Sequence, residues 1–127
     1  MKKIVYIFLT IAIVILFAEL FWNRASQDTI LSKDIHSLIQ QGENQIDLTT
    51  LTDFEWIAVN VYGPYTTNEM IEDSMGIQFK GDNGGIDVLE DRFLLVFANE
   101  KNALKTAVLS RKYGDYTVKD NKFLIVE

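Results

Sequence analysis

The sequence predicts an α+β domain in which an antiparallel sheet of about four to six strands carries two helices on one face, preceded by a single N-terminal transmembrane helix. Three observations lead to this prediction. A nearly uncharged segment covers residues 4–22, helical signals follow in residues 29–41 and 66–75, and most of the remaining chain consists of short β-type segments. Helices that precede strands, instead of alternating with them, are typical of α+β folds.

The N-terminal segment has the composition of a membrane-spanning helix. Lys2 and Lys3 precede residues 4–22, in which Glu19 is the only charged residue. A helix of nineteen residues is about 28 Å long, close to the roughly 30 Å hydrocarbon core of a bilayer. Because positive charge favours the cytoplasmic side of a membrane, we expect the rest of the chain to lie outside the cytoplasm.

The chain is therefore divided into a membrane anchor or signal segment, residues 1–25, and an extracytoplasmic domain, residues 26–127. We expect a single-pass protein of the cell membrane that contacts the bilayer through residues 4–22. The alternative is secretion after cleavage, but neither Leu16-Phe17-Ala18 nor Asn23-Arg24-Ala25 matches the A-x-A pattern of signal-peptide cleavage sites. The chain has no cysteine, which excludes disulfides, thiol chemistry and a lipid-modified Cys.

Two segments of the exported part carry helical signals. Residues 29–41 hold apolar side chains at helical spacing, and Gly42 follows as a stop; the apolar residues are Leu31, Ile35, Leu38 and Ile39. Further on, Thr66 and Glu69 have the spacing of a capping box, which predicts a second helix that ends at Met75.

Strands are predicted before and after the second helix. Residues 56–62 are rich in β-branched and aromatic side chains and end at a Gly63-Pro64 turn. Four later strands are predicted at residues 86–89, 92–98, 104–110 and 122–126, and their short connections favour antiparallel pairing. Residues 92–98 are apolar on both sides, which predicts a central strand that is buried on both faces. The second face of this strand must also be covered. The alternatives are sheet curvature and loops, a partner, or a small apolar ligand.

Charge excludes one class of partner. Residues 28–100 hold 14 acidic and 3 basic side chains, whereas residues 101–127 hold 3 acidic and 6 basic side chains. A nucleic-acid-binding domain needs a dense basic surface, so we predict no nucleic-acid partner.

The sequence contains no catalytic, cofactor or metal motif that stands out, so we predict none of these sites. His36 is the only histidine, and we expect it on a helix surface. Residues 82–87 match calcium-binding loops only in part, so a glycine-rich turn is favoured. The carboxylates of Glu69, Glu72 and Asp73 are expected on the solvated face of a helix.

Aromatic residues around the Gly63-Pro64 turn form the one surface for which we predict an interaction. Alternation along the strand places Trp56 and Tyr62 on one face, and that face runs directly into Tyr65. Rigid aromatic side chains dominate the binding energy of many interfaces. We expect Tyr65 to be exposed, and packing of Trp56 in the core is the favoured alternative to a role of Trp56 in binding.

Two segments carry a resemblance to a protein group. The pattern F-x-W, an apolar strand, and G-P-Y-T in residues 54–66 resembles small exported or membrane-anchored proteins of Gram-positive bacteria. Residues 111–116, with Arg111, Gly114 and Asp115, are similar to a later R-x-x-G-D-aromatic element of that group. The resemblance implies no activity. We therefore predict a non-enzymatic binding module at the cell envelope, with an inhibitor or immunity-type protein second and an envelope hydrolase third.

Overall fold

The computed structural model describes residues 2–21 and 24–126. Its α-helices are Lys2–Phe21 (α1), Thr29–Gln40 (α2), Leu48–Leu51 (α3) and Asn68–Met75 (α4). Its strands are Ser26–Gln27 (β1), Gln45–Asp47 (β2), Ala58–Tyr62 (β3), Arg92–Ala98 (β4), Ala103–Ser110 (β5), Asp115–Lys119 (β6) and Lys122–Val126 (β7). A short 3₁₀-helix, Arg111–Tyr113, joins β5 to β6.

The strands form two sheets where one was predicted. The larger sheet has the order β1-β5-β4-β3, and the smaller one has the order β2-β7-β6. Pairs of strands joined by short connections are antiparallel, as expected, but β1 runs parallel to β5 and makes the larger sheet mixed. The prediction of a single antiparallel sheet is therefore wrong.

Strand β4 is the centre of the molecule, and its prediction as a strand buried on both faces is confirmed. Phe93, Leu95 and Phe97 point to one face, where they meet α2 and the smaller sheet through Ile35 and Phe123. On the other face, the side chains of Leu94, Val96 and Ala98 pack against Ile71, Ile77, Phe79 and Ile86.

The two predicted helices lie on opposite faces of the larger sheet, so their placement on one face is wrong. Helix α2 contributes Leu31 and Ile35 to the first face, and α4 contributes Ile71 to the second. Both faces of β4 are apolar, and each must be covered to remove that surface from water. Helix α4 and the segment after it therefore cover the second face. The sequence did not decide between the alternatives for this cover.

The helix ends show how local side chains determine the boundaries. Asp28 caps α2 by accepting a 3.0 Å hydrogen bond from the backbone N–H of Leu31. Thr67, not Thr66, caps α4 and accepts from the N–H of Met70, while the Thr66 hydroxyl donates to the Gly63 carbonyl. The cap is therefore one residue later than predicted, and the capping box is not formed, because the third helical position is Met70 instead of a glutamate.

The predicted strand at residues 86–89 is a turn. Gly84 and Gly85 both have positive φ, a conformation that interrupts an extended chain. Ile86 is fully buried, while Val88, two residues later, is 70% exposed. A single buried side chain therefore anchors this turn.

Helix α1 presents exposed side chains along residues 2–17. Within the described residues, no helix combines the length and the apolar character that crossing a membrane requires. The prediction of a transmembrane helix is therefore wrong. Trp22, the predicted end of that helix, lies outside the described residues.

Candidate interaction surface

The three aromatic residues predicted as an interaction surface lie at two ends of β3. Trp56 precedes the strand, and Tyr62 and Tyr65 lie at and beyond its end. Strand β3, which rises about 13 Å from Ala58 to Tyr62, lies between Trp56 and Tyr62. The structure therefore brings Tyr62 and Tyr65 to one end of the domain and leaves Trp56 at the other.

Trp56 is half-buried against the core. Its ring meets the ring of Phe97 edge-on, with centroids 5.2 Å apart. Its Nε1 donates a 2.8 Å hydrogen bond to the Thr52 hydroxyl. Trp56 precedes the regular strand, and it packs on the same side as Val59 and Val61 instead of the side that alternation predicts.

Tyr62 has a structural role. Its side chain is half-buried against the second face of the sheet, and its hydroxyl donates a 2.9 Å hydrogen bond to Ser74 Oγ on α4. This bond ties the end of β3 to the helix that covers it. The Tyr62 hydroxyl is thereby used within the domain.

Tyr65 is 59% exposed and has a backbone φ of 67°, in the left-handed region. Pro64 before it and the positive φ at Tyr65 match the second and third positions of a type II turn, where the third position favours glycine. The Tyr65 N–H donates to the Ile86 carbonyl, which holds the backbone in this conformation. Its hydroxyl donates a 3.2 Å hydrogen bond to Glu90 Oε2. This bond, together with the negative charge of Glu90, raises the pKa of Tyr65 above its usual value.

The turn held by Tyr65 adds apolar surface. Tyr65 contacts both ends of it, at Ile86 and Glu90, and the exposed side chains of Val88 and Leu89 lie between these contacts. We call Tyr65, Val88 and Leu89 the Tyr65 patch. Sequence reasoning missed Val88 and Leu89 because it assigned them to a strand; the adjacent Gly84-Gly85 pair was the signal for a turn.

The second segment of the resemblance lies beside this patch. Arg111 donates a 3.1 Å hydrogen bond to the Glu90 carbonyl, and its Nε pairs with Asp115 at 3.0 Å. Tyr116 donates its hydroxyl to the Ser110 carbonyl, and burial raises its pKa to about 12. Glu90 therefore links the turn at Tyr65 to residues 111–116, which sequence reasoning did not place together.

His36 is on α2 and contacts the end of β5. Its Nε2 accepts a 3.0 Å hydrogen bond from the Ser110 N–H, and its ring contacts Tyr113. Burial lowers the pKa of His36 below its usual value.

Among the described residues, no three His, Asp or Glu side chains converge as a metal site would require. In the glycine-rich loop, the Asp82 side chain accepts a hydrogen bond from the Gly84 N–H, and the Asn83 side chain accepts one from the Gly85 N–H.

Comparisons with protein-family models, with curated proteins and with solved structures find no match to this chain.

Proposed function

We propose that residues 26–127 form a non-enzymatic interaction module that acts outside the cytoplasm and binds a protein partner through the Tyr65 patch. The observation that carries this proposal is an exposed tyrosine held in a left-handed backbone conformation.

This conformation is unfavourable for a bulky side chain and natural for glycine. The contacts of the Tyr65 side chain within the domain do little to offset this conformational cost, because its hydroxyl bonds to Glu90 at an exposed position. Strained residues of this kind concentrate at functional sites, where the side chain serves a purpose that the fold alone does not explain. The strain therefore supports a role for the ring in binding.

The composition of the patch suits a protein partner. Tyrosine offers a rigid apolar ring with a polar end, and such residues are enriched among those that dominate interface energies. Val88 and Leu89 add exposed apolar side chains from the turn at residues 86–90, where Asp87 and Glu90 are exposed acidic residues and Arg111 donates to the Glu90 carbonyl. This arrangement of an apolar centre and a polar rim resembles the anatomy of protein interfaces.

Helix α1 supports the extracytoplasmic location. Lys2 and Lys3 precede fourteen uncharged residues, 4–17, whose side chains are exposed. A basic start followed by an apolar stretch of about this length is the pattern of an export signal. Sequencing the N-terminus of the mature protein tests this role: a start at Glu19 or Ser26 is the outcome of signal cleavage. Digestion of the domain by protease added to wall-free cells tests the location, and protection of the domain would contradict it.

Photo-crosslinking tests the binding role directly. We expect p-benzoylphenylalanine at position 65 of the full chain to give a discrete adduct of higher mass in the cells that produce it. The matched control is position 70, because Met70 is also exposed and lies on α4. An identical adduct pattern at both positions, or no adduct at position 65, would contradict the proposal.

A further inference from the structure

The end of the domain opposite the Tyr65 patch carries a groove of about 710 Å³. Its lining residues, which we call the Trp56 groove, are Thr49, Thr52, Phe54, Glu55, Trp56, Ile57, Asn99, Leu104 and Asn121. The groove continues past Ile57 and Asn99 into a smaller hollow of about 270 Å³ beside residues 100–102. Its extended shape differs from that of a closed cavity for a small molecule.

The apolar part of the groove is rigid. Phe54 and Trp56 each meet the ring of Phe97 edge-on with centroids 5.2 Å apart, and Phe97 is fully buried. Ile57, between Trp56 and β3, is 63% exposed. Rings fixed by the core beside an exposed aliphatic side chain can receive an apolar group with little loss of side-chain entropy.

The sides of the groove carry negative charge. The exposed carboxylates of Asp53, Glu55 and Glu100 lie on or next to the lining residues. The basic residues there are Lys101 and Lys105; Lys105 Nζ lies 4.5 Å from the centre of the Phe54 ring and is paired with Asp28 at 3.8 Å. Among the described residues, none of these three carboxylates forms an ion pair. The field at the groove therefore attracts a cationic group and repels an anionic one.

We propose that the Trp56 groove docks an extended cationic segment of a partner protein, with an apolar side chain against Trp56 and Ile57 and lysine or arginine residues near Glu55 and Glu100. Charge favours this occupant over a second copy of the chain, because residues 28–127 carry 17 acidic and 9 basic side chains and are therefore net acidic. The groove and the Tyr65 patch lie beyond opposite ends of β3 and share no residue, so this proposal does not depend on the proposed function.

An array of random decapeptides probed with the purified full chain tests the docking proposal. We expect the bound peptides to be enriched in lysine and arginine beside an apolar or aromatic residue. Their affinity, measured by fluorescence anisotropy, should fall at least tenfold in Ile57→Ser. It should stay within twofold in Met70→Ser, which changes an exposed apolar residue on α4.

Two further variants test the charge and the location of the bound peptide. Glu55→Gln combined with Glu100→Gln should weaken binding and reduce its dependence on salt, because fewer charges remain to be screened. In a Trp22→Phe background, Trp56 is the only tryptophan of the chain, and its emission should shift when a selected peptide binds.

Three outcomes would overturn the proposal. The first is that no bound peptide depends on Ile57, and the second is that the Ile57-dependent peptides lack an excess of basic residues. The third is a concentration-dependent dimer in sedimentation velocity that Ile57→Ser abolishes, because the groove would then hold a second copy of the chain.

Discussion

The hydroxyl of Tyr65 donates a 3.2 Å hydrogen bond to the carboxylate of Glu90, which joins the turn after β3 to the residue two before β4. The same Glu90 accepts at its backbone carbonyl from Arg111. One acidic residue thus connects three segments that are distant in sequence. All three side chains are exposed or at the surface, so this connection positions the Tyr65 ring more than it stabilises the domain.

Replacing Tyr65 by glycine should leave the domain at least as stable as the wild type. Glycine relieves the left-handed strain at φ 67°, although it also gains freedom in the unfolded chain. We expect the urea midpoint of Tyr65→Gly to be unchanged or higher by up to about 0.5 M. Tyr65→Val, with a β-branched residue in the same conformation, should have a lower midpoint. A midpoint for glycine below that for valine would contradict the left-handed conformation, and one well below the wild type would show that the tyrosine ring supports the fold.

Trp56 and Ile57 are neighbours whose substitutions should have very different costs. Trp56 packs on Phe97 and bonds to Thr52, whereas Ile57 is mostly exposed. Trp56→Ala should lower the free energy of unfolding by about 2–4 kcal/mol, less than for a fully buried tryptophan. Ile57→Ala should change it by less than about 0.5 kcal/mol. Equal losses in urea denaturation would place both side chains in the core and contradict the open groove.

Ile71 and Met70 test whether α4 covers the second face of the larger sheet. Ile71 is fully buried against that face, and Met70 is exposed on the same helix. Ile71→Ala should cost about 2–5 kcal/mol, while Met70→Ala should cost less than about 0.5 kcal/mol. Chemical denaturation measures both. A small loss for Ile71→Ala would mean that α4 does not pack there.

Stability should fall at acidic pH through His36. Its folded-state pKa is lowered by burial, so the unfolded chain takes up a proton more readily than the folded domain does. Neutral His36 therefore makes its full contribution to the free energy of unfolding above about pH 6.5. This contribution is lost as pH falls through the folded-state pKa. Protonation also converts Nε2 from an acceptor into a donor facing the Ser110 N–H.

The control for this titration is His36→Gln, which does not titrate. The melting temperature of the wild type should fall more between pH 7.5 and pH 5 than that of His36→Gln. The effects of carboxylates are shared by both proteins and cancel in this difference. Equal falls in the two proteins would exclude His36 as a source of the pH dependence.

The sequence allowed prediction of those elements whose signals are local. Strand β4 is a continuous apolar run, and α2 shows apolar residues at helical spacing, so both were predicted within one residue of their observed ends. Strand β6 was missed because its side chains are mostly polar, and Tyr116 is the one that is buried. Its pairing with β7 depends on the sharp turn at Asp120 and Asn121, which both adopt positive φ.

The arrangement of elements could not be predicted in the same way. An apolar stripe on α2 or α4 shows that a helix packs, but it does not show which face of the sheet it covers. For the same reason, only part of the candidate surface could be predicted. Tyr65 follows a Gly63-Pro64 turn and was expected to be exposed, while its contact with Glu90 depends on how residues 84–91 turn in space.

The measurement that tests the central claim most directly is the affinity of Tyr65→Gly for the partner captured by crosslinking at position 65. We predict a dissociation constant at least tenfold higher than that of the wild type, with a urea midpoint that is no lower. This combination is expected if the backbone strain at Tyr65 is retained because the tyrosine ring binds the partner. An unchanged dissociation constant would contradict the claim, whatever the stability of the variant.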